Sequence, residues 1–370
     1  MPEVIGFLNL HNAPDLGQIN QNRTLAAISF LGRYAICDIP LSNLTNSEIS
    51  NIGVLVNRSP RSMIMHLGSG KQYTVNTKKG KTVICYNEKY ANNYHYNTDI
   101  NNIIENKWFL DEANSKYVVI VPSHLLYRLD FRKVIKQHKE RNADCTLVYK
   151  HINDGIEQFI DENILILNNE KKVVNISKNK GLVNDINVSM ETLVINTEKL
   201  REIISFATKT SSFLSLMDVI RYICNTIEVD TYEYDGYLRS ISSLRHYMDC
   251  SLELLDFKVL NELFDAKWPI YTKTHDTPPA SYLDNAWVRN SFISNGAVID
   301  GKVENSVICR DVKIGKNCVI RNSIVLSGTT ISDESILENV IVDKNAKILY
   351  VKELRGTKED PLYIGLGDVV

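Results

Sequence analysis

Between residues 308 and 348, branched apolar residues return every six positions, a spacing that neither an α-helix nor a half-buried strand produces. Ile308, Ile314 and Ile320 form one series, Val319, Val325, Ile331 and Leu337 a second, and Ile336, Val342 and Ile348 a third. Polar turn material such as Gly315-Lys316-Asn317 and Ser332-Asp333-Glu334 lies between them. A parallel β-helix satisfies this pattern, because each hexapeptide makes one flat side of a coil and points its branched residue inward. An irregular β-sandwich is the alternative, but it has no reason to hold one period over several rungs.

Residues 1–270 follow a different rule. Val4-Ile5-Gly6-Phe7-Leu8, Ile52-Gly53-Val54-Leu55-Val56, Tyr117-Val118-Val119-Ile120-Val121-Pro122 and Cys145-Thr146-Leu147-Val148-Tyr149 are continuous apolar runs. Such runs suit strands of a parallel sheet covered on both faces. Leu129 to Glu140 and Lys199 to Phe206 have helical spacing between them. The alternation predicts a doubly wound α/β domain over 1–270, a linker over 271–285 containing Pro278-Pro279, and the β-helix over 286–370.

The bulk numbers narrow the function classes. Of 370 residues, 44% are hydrophobic and 23% charged, ordinary for a globular protein, and the length allows two domains. A formal net charge of −2 gives no global field for nucleic acid or an anionic membrane. No run of apolar residues is long enough to span a bilayer, and Met1-Pro2-Glu3-Val4-Ile5 lacks the basic start of a secretory signal, so a cytoplasmic protein is expected. The cysteines, Cys37, Cys85, Cys145, Cys224, Cys250, Cys309 and Cys318, form no CxxC pair and are expected as buried, reduced thiols rather than zinc ligands.

Several blocks carry a resemblance. Gly32-Arg33-Tyr34-Ala35-Ile36-Cys37-Asp38-Ile39-Pro40-Leu41-Ser42-Asn43 is similar to GGRYRxIDFPLSN, and His66-Leu67-Gly68-Ser69-Gly70-Lys71 to HIGSGK. Gly301-Lys302-Val303-Glu304-Asn305-Ser306-Val307-Ile308 is similar to GxVENSVL, and Ile341-Val342-Asp343-Lys344-Asn345 fits too. By these motifs the chain resembles the bacterial ADP-glucose pyrophosphorylases, over nearly its whole length. The family joins glucose 1-phosphate to ATP. The resemblance implies a Rossmann-like, GT-A-like nucleotidyltransferase domain followed by a left-handed parallel β-helix.

The same comparison removes the chemistry. Where the family has a GGxGTRL phosphate loop, this chain has Leu8-Asn9-Leu10-His11-Asn12-Ala13-Pro14-Asp15-Leu16. Glycines that let N–H groups approach phosphates are gone, Pro14 removes a donor, and Asp15 adds a negative charge. Leu25 stands where the family has a lysine near the phosphates. His124 and Ser240 stand at the two aspartates that hold Mg²⁺, and a register one residue earlier puts Ser123 at the first, again without a carboxylate. The YRGTADAV nucleobase segment becomes Tyr94-His95-Tyr96-Asn97-Thr98-Asp99-Ile100-Asn101. Glu191 replaces the glycine of SMGIYVF, and Lys178 alone remains as a vestigial sugar-phosphate contact, with a solvated surface lysine as the alternative.

Loss of the reactive groups with retention of the scaffold implies a GlgD-type subunit: no catalytic residues, no cofactor or metal of its own, Mg²⁺ only in a GlgC-type catalytic subunit, and a hetero-oligomer with that partner. Arg33, Arg58 and Arg61 are the candidate anion site for a phosphorylated-metabolite effector; the alternative for Arg33 is a structural pairing with Asp38 or a carbonyl. The competing readings are an active sugar-1-phosphate nucleotidyltransferase with an atypical site, which needs other Mg²⁺ ligands, and a hexapeptide acyltransferase. Acyltransferases of that class use a histidine in the coil, and no histidine follows His275.

Overall fold

The computed structural model describes residues 3–74, 80–93 and 95–370; Met1, Pro2 and Tyr94, which entered the reading of the N-terminus and the nucleobase segment, lie outside them. The chain divides into two discontinuous units. The sheet unit holds residues 1–13, 39–240 and 266–271, and the coil unit holds 14–38, 241–265 and 272–370. Residues 14–38 and 241–265 therefore group with the coil, a division that no single cut along the chain reproduces.

The sheet unit is built on β1 (Val4–Asn9), β2 (Asn51–Val56), β3 (Lys81–Tyr86), β4 (Tyr117–Pro122), β5 (Leu125–Tyr127), β6 (Cys145–Ile152), β7 (Asn163–Leu167), β8 (Val173–Lys178), β9 (Ile186–Asn196), β10 (Val229–Glu233) and β11 (Leu238–Ser240). Nine of these form one sheet with path β8-β7-β9-β4-β1-β2-β3, and β6 joins β9 to β10. Pairings β4-β1-β2-β3 are parallel, as the apolar runs predict. β9 is antiparallel to β4, β6 and β7, so the sheet is mixed rather than wholly parallel. The core packs Ile5, Phe7, Val118, Ile120, Leu147 and Leu193 together with helix residues such as Leu200 and Ile203. The expected helix near Leu129 spans Phe131–Glu140, because Asp130 caps it by accepting from the Arg132 N–H at 3.0 Å.

In the coil unit, three five-stranded parallel sheets form the sides of a left-handed parallel β-helix. Its interior is the stack of Ile299, Val303, Ile308, Ile314, Ile320, Val325, Ile331, Leu337, Val342 and Ile348. Lys302, Val319, Ile336 and Glu353 lie opposite one another, so each of these turns takes 17 residues rather than three complete hexapeptides. One side in each of these three turns is therefore a residue short. The same register corrects the inward assignment of Val319 and Ile336, which point outward and are half-buried. The coil begins within the expected linker, since Ser281–Tyr282 pairs with Val298–Ile299. At one corner Asn290, Asn305, Asn322 and Asn339 all take positive φ, a conformation that asparagine tolerates better than branched residues do.

On another side the outward residues Val307, Ile324 and Ile341 are themselves buried. Gly32 lies against that side with φ +70°, where an added Cβ would sit 2.3 Å from Ser294 Oγ. The Arg23 guanidinium there makes a buried ion pair with Asp343, donates to the Ile19 carbonyl at 2.7 Å, and shares Asp343 with the Tyr363 hydroxyl at 2.5 Å. Tyr247 donates to the Ser29 carbonyl at 2.6 Å. All seven cysteines are buried with free thiols.

Candidate functional site

The candidate site lies in the sheet unit beyond the ends of β1 and β4, where ligands commonly sit in open α/β sheets. β4 delivers Ser123 and His124, and β5 follows at once. β11 runs antiparallel to β5 with Ser240 opposite Leu125, so His124 and Ser240 come together. Between them stands Glu162, one residue before β7. The Ser240 hydroxyl donates to Glu162 Oε1 at 2.6 Å, and His124 Nε2 lies 3.4 Å from the same oxygen.

This pair is electrostatically self-consistent. Burial favours neutral His124, but the Glu162 charge and hydrogen bond, with Glu191 behind it, outweigh that and raise its pKa above the ordinary 6.5. Burial also favours neutral Glu162, yet the His124 charge, the hydrogen bonds from His124 and Ser240, and the field of Lys178 hold it well below the usual carboxylate range. Each group of the pair thus favours the charged form of the other. His124 Nδ1 has no hydrogen-bond partner among the described residues, so the ring is held from one side.

Glu191 sits in an irregular stretch of β9, between the paired residues Ser189 and Leu193, with φ +46°. The backbone keeps the left-handed conformation suited to the family's glycine although a glutamate now occupies it. Two amides anchor its carboxylate: Asn163 Nδ2 at 2.6 Å and Asn12 Nδ2 at 3.2 Å. Burial pushes the Glu191 carboxyl upward, opposed by His124. Lys178 is exposed and makes no ion pair among the described residues; its charge acts on His124, Glu162 and Glu191 from outside.

The segment after β1 is filled by its own side chains. Asn9 Nδ2 donates to buried Asp99 at 2.9 Å. His11 Nδ1 lies 3.0 Å from the Asn97 carbonyl, and Nε2 lies 2.9 Å from Asn102 Nδ2. Burial keeps the His11 ring neutral against the pull of Asp99. A glycine loop leaves N–H groups open to an anion; here side-chain amides and imidazole take that space.

Mg²⁺ takes oxygen ligands in near-octahedral geometry. At the two positions that the resemblance assigns to metal ligands, His124 Nε2 faces the Glu162 carboxylate and the Ser240 hydroxyl already donates to it. These groups do not fit the ion. His124 instead faces Glu162, and the pairing raises the His124 pKa and lowers that of Glu162.

The anion-site candidates separate by unit. Arg58 and Arg61 flank the start of the Pro60–Leu67 helix in the sheet unit, and Arg33 belongs to the coil unit. Within the coil unit, Arg310 donates to the Arg33 carbonyl at 2.8 Å. Burial and the Arg33 charge lower the Arg310 pKa, and burial with Arg23 and Arg310 lowers that of Lys344. Arg310 and Lys344 escaped the sequence reading, although Lys344 stood in a matched block. Leu25 is buried in a short 3₁₀ turn, Leu25–Ala27, as an apolar core residue. Glu162 was missed too, since nothing in Asp161-Glu162 before an apolar strand marks it as the partner of His124.

Residues 18–158 match the nucleotidyl transferase family, and residues 278–354 match the GlmU-like C-terminal hexapeptide family. The chain is 28% identical over 352 residues to the glycogen biosynthesis protein GlgD of Bacillus subtilis (strain 168), covering 95% of this chain and 92% of that protein. It is 30% identical over 300 residues to the glucose-1-phosphate adenylyltransferase of Mycoplasma mobile, covering 80% and 78%. The glucose-1-phosphate adenylyltransferase of Clostridium botulinum (strain Alaska E43 / Type E3) is 29% identical over 315 residues, covering 84% and 81%. The two-part fold, the shared motif blocks and these full-length similarities together make this chain a member of the glucose-1-phosphate adenylyltransferase family.

Proposed function

We propose that this chain is a regulatory, catalytically inactive subunit of glucose-1-phosphate adenylyltransferase in bacterial glycogen biosynthesis, working in the cytoplasm with a GlgC-type catalytic partner. The observation that carries this reading is the His124–Glu162–Ser240 network at the two metal positions. Nucleotidyl transfer requires a metal and open donors to spread the charge of the triphosphate. Here an internal ion pair stands in the first place, and the His11 and Asn12 side chains stand in the second. The similarity to a protein named GlgD agrees with this.

Regulation then falls to the retained scaffold. Arg33, with Arg310 and Lys344 in the same unit, is the favoured anion site for a phosphorylated effector, and Arg58 and Arg61 are a separate basic pair in the other unit. Lys178 is a vestige of sugar-phosphate binding. Among the described residues no helix is long and apolar enough to cross a membrane.

The test is to mix the purified chain with its GlgC-type partner and measure ADP-glucose formation against effector concentration. Copurification and a shifted effector response support the role. A chain that neither associates with the partner nor alters its kinetics contradicts it.

A further inference from the structure

One side of the coil is built from Trp287–Arg289, Lys302–Glu304, Val319–Arg321, Ile336–Glu338 and Glu353–Arg355, stacked in parallel register. Strand alternation sends the middle residue of each triplet inward and the two flanking residues outward. Val303, Ile320 and Leu337 are accordingly fully buried. The outer surface carries two columns. One runs Arg289, Glu304, Arg321, Glu338, Arg355; the other runs Trp287, Lys302, Val319, Ile336, Glu353.

In the first column the charge changes sign at every rung. Glu304 lies 3.8 Å from Arg289 and 3.7 Å from Arg321, and Glu338 pairs with Arg355. Among the described residues no ion pair closes between Arg321 and Glu338, so the ladder is interrupted at that step. The arginines are open to solvent, with side-chain exposures of 71% for Arg289, 54% for Arg321 and 52% for Arg355. A shallow groove of about 430 Å³ follows the stripe, lined by Arg289, Asn290, Glu304, Asn305, Arg321 and Asn322.

We propose that this side of the coil pairs with the same side of a second copy of the chain, about a two-fold axis parallel to the strands and midway between the Arg321 and Glu338 rungs. Such an axis reverses the order of rungs and keeps each column over itself. Arg321 then faces the partner's Glu338, and Glu304 faces the partner's Arg355. In the other column Lys302 faces the partner's Glu353, and Val319 faces the partner's Ile336. Over four rungs every charge meets its opposite and apolar meets apolar, the self-complementarity that an isologous contact requires. An axis through the Arg321 rung sets Arg on Arg and Glu on Glu. An axis a full rung from the proposed one in that direction sets Lys302 on Val319.

The patch is small. Four rungs about 4.8 Å apart cover less than the roughly 1,200–2,000 Å² of a standard stable interface. The pairing is therefore weak, reversible and sensitive to salt, which screens exposed charges. It does not depend on whether the chain turns over substrate.

Sedimentation velocity on the full chain tests this at low and high salt. The wild type associates at low salt and separates at high salt. Arg321→Glu and Glu338→Arg each place two like charges across the axis, and each weakens association at least about tenfold. An equimolar mixture of the two variants restores it, because both like-charged contacts become opposite-charged ones in the mixed pair. Unchanged unfolding midpoints show that the variants are folded. A monomeric wild type at low salt, single variants that associate like wild type, or a mixture that stays apart overturns the proposal.

Discussion

His124 Nε2 lies 3.4 Å from Glu162 Oε1, and the Ser240 hydroxyl donates to that same oxygen at 2.6 Å. The two positions that the resemblance assigns to metal ligands thus converge on one carboxylate supplied from a third segment. Removing one member of a buried pair leaves the other uncompensated, which costs about 3–5 kcal/mol. His124→Gln and Glu162→Gln should each destabilise the chain by about that amount in urea or guanidinium unfolding. The double variant should cost clearly less than the sum of the singles. Strict additivity would mean that the two groups do not interact.

The pair also fixes a pH dependence. His124 has a raised pKa, so its stabilisation is complete below the ordinary 6.5 and is lost as pH rises through the raised value. Glu162 has a lowered pKa, so its stabilisation is complete above the ordinary 4.5 and is lost only in strong acid. Both are in full effect between those ordinary values. The melting temperature of wild type should fall relative to His124→Gln on moving from that window to alkaline pH. Parallel curves would contradict a buried imidazolium.

How much of this was legible in the sequence depends on the kind of contact. Ile308, Ile314 and Ile320 announce the coil because they recur along a single strand of chain. The 17-residue turn is hidden, since Val319 and Val325 keep a six-residue spacing although Val319 points outward and Val325 inward. β9 looks like its parallel neighbours because burial on both faces gives the same apolar run in either direction. His124 and Ser240 were found as losses relative to a motif. The gain that balances them, Glu162, has no local signal, because its meaning lies in a contact across 38 residues to His124 and 78 to Ser240.

Arg23 and Asp343 are a harder case, 320 residues apart and joined in a buried ion pair inside the coil unit. Arg23 is then a fastening between residues 14–38 and the coil. Asp343→Asn should destabilise the coil unit by about 3–5 kcal/mol and raise amide exchange over residues 14–38. Exchange unchanged in that segment would show that the pair does not hold it.

Carboxylates alone should not revive the chemistry. His124→Asp with Ser240→Asp brings two new acids beside Glu162 and removes the imidazole that faces it, while His11 and Asn12 still fill the phosphate segment. Groups that act together in catalysis are strongly non-additive. The double variant should show no turnover and weak ATP binding, beside a version that also carries a rebuilt GGxGTRL loop. Substantial turnover from the two aspartates alone would mean that the metal site was the only defect.

The most direct measurement is ADP-glucose formation by the purified chain alone, given ATP, glucose 1-phosphate and Mg²⁺. With His124 and Ser240 both turned onto Glu162 at the positions that the resemblance assigns to metal ligands, product should not exceed a no-protein control at any Mg²⁺ concentration. Mg²⁺-dependent release of pyrophosphate well above that control would contradict the inactive assignment.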